Sequence, residues 1–209
     1  MLTELSPGEE FLTLHEAKIW LRIFGNQQDR DVTSAIVQAR DYLERTAART
    51  LRVQVQYQAT LPVWPSAHGE VPGPEDRERY AERFSWSCRE SRFYFPQPPY
   101  LDLDTCVQYY DRANTLSDLS TSRYRVIQSK TAQSHIELDV RSQSLPTLYY
   151  RDDAILVTWY GGYETAAAVE PSWLMILKAV LRAIFDGDLD QKTWELFDRQ
   201  VLRVNDVQS

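Results

Sequence analysis

Residues 155 to 185 constrain the fold more than any other stretch, because both halves of the run ILVTWYGGYETAAAVEPSWLMILKAVLRAIF are strongly patterned. The first six residues are β-branched, aromatic or aliphatic on both alternating faces, which is typical of a strand covered on both sides. Gly161 and Gly162 then end the strand. The sequence therefore predicts a strand that leads through a glycine turn into the next element.

That next element is a helix. Pro171 suits a first helical turn, where a missing N–H is tolerated, and Glu170 before it suits the positive helix end. An apolar stripe follows at helical spacing and consists of Trp173, Ile176, Leu177, Val180, Leu181 and Ile184. We predict a core helix over 171–187 that joins a β core to a helical layer.

A helical hairpin is predicted over 11–48. Thr13 and Glu16 form a capping box, so a helix begins there. Its predicted apolar face contains Leu14, Ala17, Leu21 and Phe24, flanked by Trp20, and Gly25-Asn26 is predicted to end it. A second helix is predicted from about Asp31, with apolar residues at helical spacing to Ala47.

The region 51–160 is predicted to be β structure. Strict alternation from Leu51 to Leu61 predicts a half-buried strand, with Arg52 and a run of glutamines on the outer face. Further strands are predicted at 93–95, 106–110, 124–127 and 136–140, and a long loop at 62–92. The predicted class is α+β, in one domain of 209 residues that ends with a segment at 188–209.

Composition narrows the function classes. The formal net charge is −7, whereas proteins that grip nucleic acid through phosphates carry a basic surplus. No apolar run approaches the ~20 residues of a membrane helix, and the acidic start MLTELSPGEE predicts a cytosolic protein without a signal peptide. Cys88 and Cys106 are too few for a disulfide framework or a zinc site.

Motifs of catalysis are missing from the sequence. His15, His68 and His135 have no partner at metal-ligand spacing, and no nucleophile elbow, zinc-protease or phosphate-loop motif occurs. Asp186-Gly187-Asp188-Leu189-Asp190 starts like a calcium loop but lacks its later ligands. Asp102 and Asp104, or the pair Asp152-Asp153, could form an acid/base couple, although solvated turns explain such carboxylates better. We predict no enzymatic activity and no cofactor.

Five segments, taken in order, resemble the head-tail connector (adaptor) family of tailed bacteriophages and gene transfer agents. They are LTLHEAKIWLRI, DRDVTSAIVQARDYLERTAARTLRVQVQY, FPQPPYLDLDTCVQYYD, SRYRVI and the run from residue 155 to Gly187. The resemblance covers most of residues 11 to 187. Its most specific marks are the opening helix, the P-x-P-P segment before Tyr-Tyr-Asp, and G-G-Y before a proline-started helix.

The resemblance implies a structural ring of about twelve copies beneath the portal of a filled capsid. Genome DNA would pass through without specific binding, and a head-closure (stopper) or tail protein would bind the distal side. It also implies a location at the head-tail joint of a virion, after synthesis and assembly in the bacterial cytoplasm. The surplus of 12 Tyr and 6 Trp fits a protein with large subunit contacts.

Two groups of site residues are predicted. The C-terminal segment 188–209 is expected to bind the portal through Trp194, Phe197, Arg199, Val201, Leu202 and Arg203. Packing of this segment on its own domain is the alternative. The long loop is expected to face the lumen or the distal partner with Trp64, His68, Glu75, Asp76 and Trp86. A surface insertion is its alternative.

Two other functions stay open at this point. One is a different ring of the same joint, such as a head-closure or tail-terminator protein, although those are β-barrel dominated and lack a helical hairpin. The other is a small enzyme or carbohydrate-binding module with an aromatic cleft lined by Trp64, Trp86, Tyr94 and Tyr100.

Overall fold

The structure is a computed structural model. It describes residues 1–65, 88–89, 91–96, 98–128, 134–139, 145–187, 194–195, 197–199 and 201. Backbone contacts divide the chain into two compact units. The β unit comprises Met1–Pro7 and Val55–Gly161, and the helical unit comprises Gly8–Gln54 and Gly162–Ser209. The prediction of one domain stays a prediction.

The described residues of the helical unit include the helices α1 (Leu14–Leu21), α2 (Asp29–Ala47) and α3 (Pro171–Asp186). A three-residue 3-10 turn, Ala166–Ala168, precedes α3. The capping box at Thr13 is present as predicted. Gly187 ends α3 in the left-handed conformation, also as predicted. Among the described residues, no helix is long and apolar enough to cross a membrane.

One apolar core fills the helical unit. The buried stripe of α3 (Trp173, Ile176, Leu177, Val180 and Leu181) packs with the apolar face of α2. Phe11, Leu12 and Leu51 from the connecting segments join the same core. The helical spacing of apolar residues that the sequence shows from Trp173 to Ile184 therefore marks the face of α3 that is buried.

The β unit contains two antiparallel sheets. The first has the strand order β1-β2-β9-β5-β6, with β1 (Leu2–Ser6), β2 (Val55–Leu61), β9 (Ile155–Gly161), β5 (Tyr100–Tyr110) and β6 (Leu116–Asp118). The second has the order β3-β4-β8-β7, with β3 (Cys88–Arg89), β4 (Arg92–Tyr94), β8 (His135–Leu138) and β7 (Tyr124–Ile127). A 3-10 turn, Thr121–Arg123, leads into β7.

Side chains from both sheets form the core of the β unit. Trp159 on β9 is fully buried, and its ring lies 5.7 Å from that of Phe93 and 5.3 Å from that of Phe95. The aliphatic part of this core includes Val55, Val107, Ile136, Leu138, Ile155 and Val157. The two sheets thus pack face to face, as in other β-sandwiches.

The central strand is buried on one face only, which corrects the prediction of a strand covered on both sides. Ile155, Val157 and Trp159 are buried, whereas the residues between them are half-exposed. The apolar Leu156 and Tyr160 misled the prediction because they lie on the half-exposed face. Apolar residues on that face are therefore not a sign that another layer covers it.

Glycine is required where β9 ends. Gly162 has φ +95°, and a Cβ atom there would lie 2.1 Å from the carbonyl oxygen of Arg52. This close approach accompanies a hydrogen bond from the Tyr163 amide to the Arg52 carbonyl at 2.9 Å. The glycine pair is thus a packing requirement as well as the end of a strand.

Two other boundaries differ from the sequence prediction. Regular strand structure begins at Val55 and not at Leu51, because Gln54 takes a left-handed φ of +52°. Arg52, predicted on the outer face, is buried and pairs with Glu44, Nε to Oε1 at 3.2 Å. Helix α1 ends at Leu21 with Arg22 left-handed, so Phe24 lies beyond the helix and is 94% exposed.

Candidate functional site

The described residues contain no group of three or more His, Cys, Asp or Glu side chains placed to hold a metal ion. His15 is exposed at the start of α1, and the ring of His135 packs 4.9 Å from Tyr94. His68 lies outside the described residues. Neither His15 nor His135 is therefore placed among described side chains that could hold a metal ion with it.

Asp152 and Asp153, which the sequence indicates are turn carboxylates and not an acid/base couple, lie in different settings. Asp153 is held by Arg151 through two contacts, Nε to Oδ1 at 2.5 Å and Nη2 to Oδ2 at 2.6 Å, and these hydrogen bonds lower the pKa of the Asp153 carboxyl. Asp152 is exposed. The Arg151 guanidinium also lies 3.6 Å from the ring centre of Tyr110. This cluster fixes a turn.

The C-terminal residues predicted to bind the portal fall into two groups. Phe197 and Val201 are buried in the core of the helical unit, with Phe197 only 6% exposed. Trp194 packs on Tyr42 with ring centres 4.2 Å apart, and the Tyr42 hydroxyl donates to the Asp198 carboxylate. Packing on its own domain, the alternative given above, therefore describes Phe197, Val201 and Trp194.

Arg199 belongs to the second group, because its side chain is exposed. Leu202 and Arg203 lie outside the described residues. The backbone is helical at Trp194, Glu195, 197–199 and Val201. One side of this segment is thus committed to its own core, and Arg199 marks the side that is not.

Of the residues predicted in the long loop, only Trp64 is described; His68, Glu75, Asp76 and Trp86 lie outside the described residues. Its indole N–H donates to the Pro146 carbonyl at 2.8 Å, and its ring lies 5.9 Å from that of Tyr109. Trp64 therefore packs against the β unit at the point where the loop leaves it.

The structure does not bring the described aromatic residues of the alternative cleft into one site. Trp64 packs with Tyr109, Tyr94 with His135, and Tyr100 stacks on Phe95 at 4.6 Å. The cavity beside Trp64 has apolar walls and a volume of about 10 Å³, room for one water molecule at most. A saccharide does not fit there.

Exposed apolar side chains form a surface feature that the sequence prediction missed. Trp20 on α1 donates its indole N–H to the Lys178 carbonyl on α3 at 3.0 Å, and the Lys178 ammonium lies 5.7 Å from its ring centre. Met175, one turn before Lys178, is 73% exposed, and Ile19 is 64% exposed. We call Ile19, Trp20 and Met175 the helical patch. Met175 lies off the buried stripe of α3, which is the signal that could have identified it.

The open face of the first sheet is a second surface. Opposite the buried side chains, β2, β9 and β5 carry half-exposed residues in register: Gln56, Gln58, Thr60, Leu156, Thr158, Tyr160, Cys106 and Gln108. None of the eight is charged. Gln58 donates its amide to the Thr158 hydroxyl at 3.3 Å. We call these eight residues the sheet face.

Acidic groups lie at one edge of the sheet face. Asp118 on β6 accepts from the Gln108 amide at 2.8 Å, and its carboxylate lies 3.9 Å from the Cys106 sulfur. Burial, followed by the charges of Asp118 and Asp104, raises the pKa of the Cys106 thiol. The thiol is thus kept protonated and unreactive at neutral pH.

Solved structures with the same fold come from the necks and virions of phage-like particles. One is a chain from the neck of an empty GTA particle computed with C6 symmetry, at TM-score 0.68 and 13% identity, covering 96% of this chain and 94% of that chain. Another is from the virion of a native gene transfer agent (GTA) particle, at TM-score 0.63 and 13% identity, over 89% and 84%. A third is from the neck of a native GTA particle computed with C12 symmetry, at TM-score 0.60 and 13% identity, over 91% and 85%.

No family model matches the sequence. No curated protein matches it either. The structural likeness therefore concerns the fold: it confirms the α+β class, and the chains that share this fold belong to the necks and virion of gene transfer agent particles.

Proposed function

We propose that this chain is a structural, non-enzymatic connector of the neck of a phage-like particle. It forms a ring of twelve copies below the portal, extends the DNA channel and carries a head-closure or tail protein on its distal side. The observation that supports this best is the match of fold over 96% of this chain and 94% of a chain from a GTA particle neck. A match over both full lengths favours a counterpart and not a shared fragment.

The charge of the chain supports the channel role. With a net charge of −7, the protein lacks the basic surplus that would hold DNA phosphates. DNA can then move through the ring without specific binding. The ring would assemble in the bacterial cytoplasm and stay in the virion at the head-tail joint.

We assign portal docking to the C-terminal segment 188–209, in a form sharpened by its geometry. Phe197 and Val201 hold the segment on the helical unit, so contact with the portal falls to Arg199 and to Leu202 and Arg203 beyond it. A basic end of this kind suits an acidic docking surface. The predicted loop 62–92, with Trp64 fixed at its start and β3 and the first residue of β4 at its end, is assigned to the lumen or the distal partner.

The test is electron microscopy of the purified chain mixed with the portal protein of the same particle. We expect rings or portal-capping particles. A monodisperse monomer that ignores the portal would contradict the connector role.

The docking assignment needs variants that spare the core. Removal of residues 202–209 leaves Phe197 and Val201 in place, and Arg199→Glu changes an exposed charge. We expect both to weaken portal capping while the melting temperature is unchanged. Arg30→Glu, at an exposed position of α2, is the matched control and should leave capping intact. Normal capping by both C-terminal variants would place the portal contact elsewhere.

A further inference from the structure

We propose that neighbouring copies of this chain bind each other head to tail, with the sheet face of one copy packed on the helical patch of the next. The proposal rests on the ring in the proposed function and names its subunit interface. It assigns two surfaces that differ from each other, as a cyclic assembly requires.

The sheet face has the composition of an interface. Interface centres are depleted in Lys, Glu and Asp and enriched in Tyr, whereas the open face of a solvated sheet normally carries charges. Here eight neighbouring positions on three strands carry none, in a chain whose residues are 25% charged. The Gln and Thr side chains supply donors and acceptors for a partner, and Leu156 and Tyr160 supply apolar area.

The helical patch has the geometry of a binding hot spot. Trp20 is 44% exposed, yet its indole N–H is already fixed on the Lys178 carbonyl at 3.0 Å. A rigid aromatic side chain loses little entropy on binding. Ile19 precedes Trp20 on α1 and Met175 lies one helical turn before Lys178 on α3; both are exposed, and adaptable Met side chains suit irregular partners. Aromatic residues at such sites carry much of the binding energy.

Charge complementarity selects a second copy, in head-to-tail orientation, as the occupant. Asp104 and Asp118 border the sheet face, and both raise the pKa of the Cys106 thiol, although less than burial does. The exposed Arg22 and the Lys178 ammonium border the helical patch. Glu16 adds one negative charge near Lys178, because hydrogen bonds from Thr13 lower the pKa of its carboxyl, so the border of the helical patch carries two positive charges and one negative charge. Pairing two sheet faces or two helical patches would bring like charges together, whereas sheet face on helical patch brings opposite charges together.

Two variants, each disabling one surface, test the arrangement. Met175→Glu places a charge in the helical patch, and Thr158→Lys places one at the centre of the sheet face. Val37→Glu, at an exposed apolar position of α2, is the matched control. Circular dichroism and thermal melting establish that each variant is folded. Sedimentation velocity over a concentration series then measures self-association.

We expect wild-type protein and Val37→Glu to associate with rising concentration. Each of the other two variants alone should associate at least ~30-fold more weakly, the size of a hot-spot loss. Mixed together, Met175→Glu and Thr158→Lys each retain one intact and complementary surface, so they should associate at least into a one-to-one dimer, which the opposite charges on the two altered surfaces can extend. Lys178→Glu and Asp118→Lys each reverse one charge at the interface. The double variant reverses both charges and should recover part of the association that either single variant loses.

Three results would overturn the interface. They are a wild-type protein that stays monomeric at every soluble concentration, a mixture of two folded variants that forms no dimer, and equal weakening by Val37→Glu. Capping of the portal by a chain that fails this test would keep the connector role and remove only the proposed interface. Failure of both assays would remove both proposals.

Discussion

Both units bury aromatic rings, but the buried charged side chains among the described residues belong to the helical unit. In the β unit, Trp159 lies among Tyr57, Phe93 and Phe95, and the paired charges stay on the outside. Arg125 and Arg92 both bind Glu137 across β7, β8 and β4, with Arg125 Nε 2.7 Å from Oε2. The two arginine side chains are substantially exposed, and such pairs contribute little to stability.

In the helical unit, Arg40 and Arg52 are buried. Arg40 contacts Glu10, Nη1 to Oε1 at 3.0 Å, and Asp41, Nη2 to Oδ1 at 2.7 Å. Glu44 accepts from Arg52 and from the Leu51 amide at 2.8 Å. The Arg40–Glu10 pair connects α2 to the segment before α1, and the Glu44 contacts connect α2 to the segment that follows it. The comparison teaches that the stability of the β unit depends on the shape of its aromatic core, whereas the stability of the helical unit depends in addition on specific buried ion pairs.

The largest effect should come from the aromatic core. Trp159→Ala removes the ring at the centre of the sandwich, and we expect a loss of about 4 kcal/mol in the free energy of unfolding. Tyr160→Ala, next to it on β9 but on the half-exposed face, is the control and should lose much less. Denaturant unfolding followed by far-UV circular dichroism measures both. Similar losses for the two variants would show that core shape does not dominate the β unit.

The next effect concerns the buried charges of the helical unit. Arg40→Ala leaves the Glu10 carboxylate without its ion-pair partner, and we expect a loss of about 3 kcal/mol. Arg45→Ala, on the exposed side of the same helix, should change stability little. The double variant Glu10→Leu with Arg40→Met should recover most of the loss, since an apolar pair replaces both charges. If the double variant is less stable than Arg40→Ala, the Glu10–Arg40 pair does more than neutralise two charges.

A smaller effect is expected at the start of α1. Thr13→Ala removes the oxygen that accepts from the Glu16 amide at 3.2 Å, and we expect a loss of about 1 kcal/mol. Ser120→Ala is the matched change in the β unit, where the Ser120 oxygen accepts from the Ser122 amide at a longer 3.4 Å. A thermal melt should show the larger shift for Thr13→Ala. The reverse order would mean that local caps are not a special requirement of the helical unit.

Features with a local cause could be predicted from the sequence. The capping box at Thr13, the proline-started α3 and its glycine end, and the strands at 124–127 and 136–138 each depend on neighbouring residues. In each case the element that the local residues predict is the element found in the structure. The ordered local motifs likewise predicted an α+β fold that a chain from the neck of a GTA particle shares.

Features with a distant cause could not be predicted. Arg52 is buried because Glu44 meets it, and no spacing rule links the two. Strand β1 has four exposed residues out of five, so no burial alternation marks it. The helical patch exists because Trp20 meets Lys178, which lies far away in the sequence. Surfaces composed of several segments require the fold before they can be seen.

The smallest predicted effect separates the two units by the sign of a pH dependence. Burial raises the pKa of Glu10, against the opposing charges of Arg40 and Arg52, and Glu10 Oε2 is buried without a hydrogen-bond partner among the described residues. A raised carboxyl pKa means that the folded protein holds the proton more tightly than the unfolded chain. The contribution of Glu10 is therefore fully present below its unfolded pKa and is lost as the pH rises through the folded pKa.

Glu137 has the opposite sign. Hydrogen bonds from Arg125 and then Arg92 lower the pKa of its carboxyl. Its contribution is present above the unfolded pKa and is lost as the pH falls through the folded pKa. Melting temperatures of wild type, Glu10→Gln and Glu137→Gln from about pH 4 to about pH 7 span the window for both groups. On acidification, wild type should gain relative to Glu10→Gln and lose relative to Glu137→Gln. Two differences that move in the same direction would contradict the distinction between buried charges in the helical unit and exposed pairs in the β unit.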